Sequence, residues 1–262
     1  MSDDAVATER VIDEIRRGVD DIARYASEIP TAVDEVLTRI VFSPPVRDFL
    51  VRAAVEAVEL VTETLDTLHQ LLVGAAAPIW FYEYAHRWQD LRGTTTGVTG
   101  ALDPDLMPAA YTWSGRAGDA YTRATGPQRD AVDRLSTLAD EISGALTFCA
   151  TAGVAFYVAL GVVVVQFVAS LVAALAAIAT GVGAPVGLAG LLASISVDTF
   201  AVISAVTTLT AVLAVAAQQM TALHGEAVDD GTFPGGHWPD PVTAAYSDGT
   251  VTDGDADWSL HH

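Results

Sequence analysis

Apolar residues recur at steps of three and four along the first 90 residues, which is the period of an α-helix that buries one face. The first such stripe consists of Val11, Ile15, Val19, Ile22, Ala26 and Ile29. Pro30 is expected to end this helix, and Thr31 is expected to begin a short second one. The run Ser43-Pro44-Pro45 then predicts a break in the chain.

A long helical pattern follows over residues 46–91, and it contains its own signals for an interruption. Gly74 and Pro78 predict a kink or a break within this pattern. Residues 92–108 are rich in Thr, Gly and Pro, which predicts a loop. Helix is expected beyond this loop, with an interruption at Gly126-Pro127 before the apolar stripe continues.

The middle of the chain lacks charge, since no charged residue lies between Glu141 and Asp198. Residues 154–180 and 186–217 are two apolar helix candidates, separated by the turn signal Gly181-Val-Gly-Ala-Pro185. Each is long enough for a bilayer, which roughly 20 apolar residues span. Two interpretations stay open: a transmembrane or membrane-insertable hairpin, or two helices buried in a bundle or an oligomer.

Gln166 and Asp198 are polar positions within this apolar hairpin. Their distances from the turn near Gly183 are 17 and 15 residues, so their depths differ by only about 3 Å. We expect a hydrogen-bonded polar pair, with Ser196 or Thr199 nearby, because a buried carboxylate needs a partner or takes up a proton. Such a pair either fixes the register of the two helices or acts as an acid-sensitive latch for membrane insertion.

Composition restricts the partners that the chain can have. The 262 residues include 33 acidic and 13 basic residues, all of the latter Arg, for a net charge of −20. Such a chain has no basic surface for nucleic acid and no strong electrostatic attraction to anionic lipid. The single Cys149 forms no internal disulfide. The acidic N-terminus, with no apolar segment behind it, predicts that any export proceeds without a cleavable signal peptide.

Catalytic chemistry is not indicated, and we expect no catalytic residue, no metal ligand and no cofactor. His69 and His86 lack metal-ligand spacing, and no phosphate-binding loop or nucleophile motif occurs in the sequence. The run Asp253-Gly-Asp-Ala-Asp257 is similar to the start of a calcium loop but lacks the later Gly and Glu. It lies in residues 224–262, whose Gly, Asp, Pro and Thr content predicts an irregular, acidic and disordered tail.

The run Trp113-Ser-Gly-Arg-Ala-Gly-Asp-Ala-Tyr121 carries a family resemblance. It resembles the helix start of the WxG family of type VII (ESX) secretion substrates, and more narrowly that of the longer Esp-type secretion-associated proteins. The resemblance implies that a partner helix packs against Trp113, Gly115, Ala117, Ala120, Tyr121 and Gln128. The family's complementary signal is Y-x-x-x-D/E, and none of the seven tyrosines here has an acidic residue four positions later. The resemblance therefore implies a small helical-hairpin partner that carries this signal, together with the type VII machinery.

These observations predict an all-α, elongated antiparallel helical bundle in four successive parts. Residues 1–45 are N-terminal helices, 46–150 a WxG-type helical hairpin, 151–223 the apolar helical hairpin and 224–262 the tail. We expect a non-enzymatic protein, secreted or in the cell envelope, that acts by homo-oligomeric assembly or by contact with membrane lipid. The alternative is an integral inner-membrane protein with a transmembrane hairpin, a soluble helical head and no role in secretion.

Overall fold

A computed structural model describes residues 3–107, 112, 116–227 and 231–239, and these contain helices and turns but no β-strand. The helices are α1 Asp3–Arg39, α2 Pro44–Val73, α3 Ala77–Ala101, α4 Arg116–Ala179 and α5 Ala184–Ala227, followed by a short 3₁₀ turn at Pro234–Gly236. The predicted all-α class is confirmed. The breaks predicted at residues 43–45 and 74–78 are also confirmed, because α2 begins and ends there.

The helices belong to two compact units, each built from segments that are distant in the sequence. The first unit comprises Met1–Phe81 and Cys149–Ala214, and the second comprises Tyr82–Phe148 and Val215–His262. Helices α3, α4 and α5 each contribute residues to both units. The four successive parts expected from the sequence therefore do not correspond to the compact units.

The first unit packs four helical segments, from α1, α2, α4 and α5, around one apolar core. On each helix the buried positions alternate in steps of three and four, which is the heptad spacing of left-handed helical bundles. These positions are Ile15, Val19, Ile22, Ala26, Ile29, Val33 and Val36 on α1; Leu50, Ala54, Ala57, Val61, Thr64 and Leu68 on α2; Leu160, Val164, Phe167, Leu171, Ala174 and Ile178 on α4; and Ala184, Leu188, Leu191, Ile195, Asp198 and Val202 on α5. All six residues of the stripe predicted for α1 belong to this core or pack against it.

Helices α1 and α4 run parallel in the first unit. Near the middle of α1, Gly18 lies against the side chain of Val164. At the end of α1, the Arg39 guanidinium donates a hydrogen bond to the carbonyl of Ala179, the last residue of α4, at 2.7 Å. The turn that follows α1 and the turn that follows α4 therefore lie at the same end of this unit.

Two prolines that were predicted to interrupt helices lie inside them. Pro30 is within α1 and Pro127 is within α4, so the interruptions predicted at these residues are wrong. At Pro30 the reason is burial, because the core stripe continues through Ile29, Val33 and Val36, each at most 3% exposed. Proline removes one helical hydrogen bond, and the packing of these side chains offsets the loss.

The loop predicted over residues 92–108 is wrong for most of its length, because α3 continues to Ala101. The Thr95 side chain is buried, and its hydroxyl donates to the Leu91 carbonyl within the helix. Glycine and threonine are weak helix formers on their own. Thr95 is the buried residue of this helical segment, whereas a Cβ at Gly93, Gly97 or Gly100 would have no atom within 4 Å apart from its chain neighbours and the local helix backbone.

In the second unit, α3 and the first half of α4 are joined by polar contacts. Three contacting pairs follow in order along the helices: Ala85 with Ser143, Gln89 with Asp140 and Thr96 with Ser136. Asp103, just beyond the end of α3, continues this order with Arg129. This order makes the two helices antiparallel. Small buried residues such as Ala131 and Ala139 let the helices approach closely.

Candidate functional site

The residues that carry the family resemblance lie mostly outside the described part of the chain. Trp113 and Gly115 are outside the described residues. Ala117 and Ala120 lie at the start of α4, and their side chains are also outside the description. Tyr121 is a partly buried residue of the same helix. The partner-binding role of these five residues stays a prediction.

Gln128, the sixth residue of that set, is engaged within the chain. Its side-chain nitrogen donates a hydrogen bond to the Pro239 carbonyl, and its side-chain oxygen accepts one from the Trp238 indole nitrogen. The Trp238 ring also lies beside the Phe233 ring, with centroids 6.2 Å apart. Both polar ends of Gln128 therefore hold residues 231–239 against α4. A role of Gln128 in binding a partner stays a prediction.

The first part of the predicted disordered tail is ordered. Helix α5 continues to Ala227, and Glu226 forms an ion pair with Arg134 of α4. Pro239 is buried. The sequence has no periodic signal in this segment because individual side-chain contacts hold it, not a repeated apolar stripe. Residues 240–262, which contain the calcium-like run, lie outside the described residues.

Asp198 occupies a core position in the heptad stripe of α5, between Ile195 and Val202. It is 2% exposed, and its Oδ2 atom has no hydrogen-bond partner. Burial raises the pKa of this carboxyl, because the charged form loses its hydration. Gln166 is exposed on α4, and Phe167 beside it takes the core position, so the predicted buried pair is not formed. Sequence distance predicts depth along a hairpin, whereas the rotation of each helix decides which face a residue occupies.

Both helices of the apolar hairpin carry a second apolar stripe, on the surface. Its large members are Val158, Val162, Val165 and Val172 on α4 and Val186, Val197, Phe200 and Ile203 on α5, each between 43% and 76% exposed. On α4 these residues recur in steps of three, four and seven, so they form one continuous face of the helix. The hairpin thus buries one apolar face in the core and leaves another uncovered.

The other two helices of the first unit present charge to solvent. The exposed charged residues of α1 include Glu9, Arg10, Asp13, Glu14, Arg16, Arg17, Asp20, Arg24 and Glu28. Some of them form ion pairs along the helix, such as Asp13 with Arg16 at 3.1 Å. By contrast, the buried Asp198 is the one charged residue between Glu141 and Glu226. The first unit therefore has a charged side and an uncharged side.

Within the described residues, two helical segments are long and apolar enough to cross a membrane, Tyr121–Ala179 and Ala184–Glu226. In the most apolar 18-residue stretch of each segment, 28% of the residues are buried in the first segment and 11% in the second. A core helix of a soluble protein is mostly buried. The described part of the chain therefore covers only a minority of each apolar segment.

The two helices of the hairpin approach closely at Gly187. A Cβ at this position would lie 2.8 Å from the Ala177 Cβ and 3.1 Å from the Ala174 carbonyl oxygen. A groove of about 250 Å³ opens on the surface between α4 and α5. Its lining consists mainly of small residues: Ser170, Ala173, Ala174, Val186, Gly187, Gly190, Leu191 and Ser194. Val186 belongs both to this lining and to the outer stripe of α5, so the groove borders that stripe.

Sequence reasoning found the apolar hairpin but missed this uncovered surface. A helix that is apolar on all sides does not indicate which face the rest of the chain covers. Comparison of the chain with protein-family models, with curated proteins and with solved structures finds no match. The geometry of the hairpin therefore carries the functional argument.

Proposed function

We propose that this protein binds lipid bilayers through the outer surface of the α4–α5 hairpin. The observation that carries the proposal is the second apolar stripe on both helices. Its eight large side chains expose an apolar area on the order of 800 Å², whereas the largest apolar patch of a typical monomer is roughly 300–600 Å². A surface of this size is expected to be covered when the protein acts.

The free energy of covering this surface is large enough for stable binding. Apolar area removed from water contributes about 25 cal/mol per Å², so burial of half the surface contributes on the order of 10 kcal/mol. The charged residues of α1 lie on the opposite side of the unit and stay in water. This division between an apolar and a charged side is typical of elements that lie at a membrane surface.

The net charge predicts which lipid the protein prefers. A chain with a charge of −20 is repelled by an anionic bilayer, and salt screens this repulsion. We therefore expect binding to vesicles of neutral phosphatidylcholine. Binding should weaken when anionic lipid is added at low salt and recover when the salt concentration rises.

Flotation of the protein with phosphatidylcholine vesicles tests the proposal. The double variant Val165→Asn/Val197→Asn places two amides on the outer surface, and we expect it to lose flotation. The control is Val51→Asn/Val55→Asn, which makes the same change at two exposed valines of α2. These are 45% and 54% exposed, somewhat less than the 68% and 61% of the first pair. The control should float like the wild type.

Two outcomes would contradict the proposal. Wild-type protein that stays at the bottom of the gradient would exclude lipid binding. Equal flotation of all three proteins would show that another surface contacts the lipid. The competing interpretation is that a second copy of the chain covers the hairpin. Size-exclusion chromatography without lipid tests it, because the wild type would then form an oligomer and the Val165→Asn/Val197→Asn variant would not.

Export by a type VII system is a further proposal, which rests on the sequence Trp113 to Tyr121 alone. Recovery of the protein in culture filtrate, dependent on Trp113 and on a co-expressed small helical partner, would support it. Extraction from the membrane pellet by detergent only would instead favour the integral membrane alternative.

A further inference from the structure

The first unit has one end at which two turns lie together. These are the turn after α1, residues 40–43, and the turn after α4, residues 180–183. We call this end, with the helix starts that follow the two turns, the tip. Arg39 joins the turns through its hydrogen bond to the Ala179 carbonyl. Gly181, with a φ of 77°, lies so close to Ile40 that a Cβ at this position would overlap the Ile40 side chain. The two turns are thus in direct contact.

The tip exposes large apolar side chains from both helix pairs. Val41 in the first turn is 101% exposed, Val182 in the second turn is 83% exposed, and Val186 at the start of α5 is 76% exposed. Full exposure of Val41 means that no other described part of the chain covers it. The tip is also continuous with the outer surface of the hairpin, since Val186 belongs to both.

The charges around the tip fit the headgroup region of a bilayer. Residues 40–46 and 142–197 contain no charged residue. The charged residues that border the first turn are both cations, Arg39 and Arg47. Arginine side chains next to an apolar segment commonly reach lipid phosphate groups while the apolar residues lie deeper. This pattern favours lipid over an apolar pocket of another protein.

We infer that the protein binds the bilayer in a tilted orientation, with the tip inserted deepest and with both turns in contact with lipid. The inference rests on the proposed lipid binding and specifies its geometry. A unit lying flat on the hairpin surface would keep Val41 in water, because Val41 belongs to the turn of the charged helix pair. Only a tilt toward the tip covers Val41 and Val182 together.

The partition of single variants into phosphatidylcholine vesicles tests the tilt. We expect Val41→Asn and Val182→Asn each to weaken partitioning about tenfold, because each removes the transfer of one valine side chain. Val73→Asn is the matched control. Val73 is 89% exposed at the end of α2 away from the tip, where the Tyr157 hydroxyl bonds the Leu71 carbonyl. This control should partition within about twofold of the wild type.

The result for Val41 separates this inference from the proposed function. If Val41→Asn and Val73→Asn both partition like the wild type, the tilt is wrong and a flat orientation explains the binding. If the wild type does not partition at all, the proposed function fails and the tilt fails with it. Because Val41 and Val73 are nearly fully exposed, their substitution does not disturb the core. The emission of an environment-sensitive fluorescent label at position 41 should shift to shorter wavelength on binding to vesicles. The emission of the same label at position 73 should not shift.

Discussion

The buried carboxyl of Asp198 leads to a prediction about stability. Asp198 is 2% exposed at a heptad position where the neighbouring members of the stripe, Ile195 and Val202, are apolar. Its Oδ2 atom has no hydrogen-bond partner, so the charged form loses water without replacement. Replacement of Asp198 by Leu removes this cost and extends the apolar stripe.

The expected gain for Asp198→Leu is about 1–3 kcal/mol in the free energy of unfolding at pH 7, the usual cost of a buried polar group without a partner. Asp198→Asn should give a smaller gain, because the amide is also polar and buried. Asp198→Leu adds no cavity, since leucine is at least as large as aspartate.

The gain in stability from Asp198→Leu must depend on pH. The direction of this dependence follows from the pKa of Asp198. Burial raises the pKa of Asp198 in the folded protein above its value of about 3.9 in the unfolded chain. The folded state therefore binds the proton more tightly. Proton binding by Asp198 contributes its full stabilisation to the folded state below about pH 3.9. This contribution is lost as the pH rises through the pKa of Asp198 in the folded protein. The difference between Asp198→Leu and the wild type is therefore smallest in acid and largest at neutral pH.

Urea unfolding followed by circular dichroism measures this difference at a series of pH values. The other carboxyl groups are present in both proteins, so their titration cancels. Glu14→Gln, on the exposed face of α1, is the control for loss of one negative charge and should change stability by less than about 0.5 kcal/mol. A variant less stable than the wild type at pH 7, or a gain that does not vary with pH, would refute the reasoning.

Three further predictions follow from the contacts and the charge. Gly181→Ala should lower the melting temperature, because Gly181 has a φ of 77° and its Cβ would overlap Ile40; an unchanged temperature would show that the turn adapts freely. Gln128→Ala should expose residues 231–239 to limited proteolysis, because both hydrogen bonds to this segment are lost; unchanged cleavage would mean that other contacts hold it. Salt should raise the melting temperature, because it screens the self-repulsion of a chain with a charge of −20, and a flat or falling curve would contradict this.

The sequence by itself determined the local elements of this protein. The heptad stripe of α1, the breaks at residues 43–45 and 74–78 and the turn of the apolar hairpin are all visible in it. Each of these features depends on residues within one or two helical turns of each other. Periodicity and turn chemistry describe such features directly.

The tertiary structure decided which local sequence preferences are realised in the folded protein. Pro30 and Pro127 stay inside helices, and α3 runs through a segment that reads as a loop. At Pro30, packing against other helices outweighs the local preference. The ladder of polar contacts between α3 and α4 joins residues about 25 to 60 positions apart, and no local pattern encodes such pairs.

The placement of the candidate site also depended on the tertiary structure. The absence of charge marks residues 142–197 as unusual, but it does not show which face of each helix the other helices cover. That face is set by the rotation of α4 and α5 in the bundle, which buries Asp198 and exposes Gln166. The meeting of the two turns at the tip has the same origin. Val41 and Val182 are 141 residues apart in the chain, and only the parallel packing of α1 and α4 brings their turns to one end.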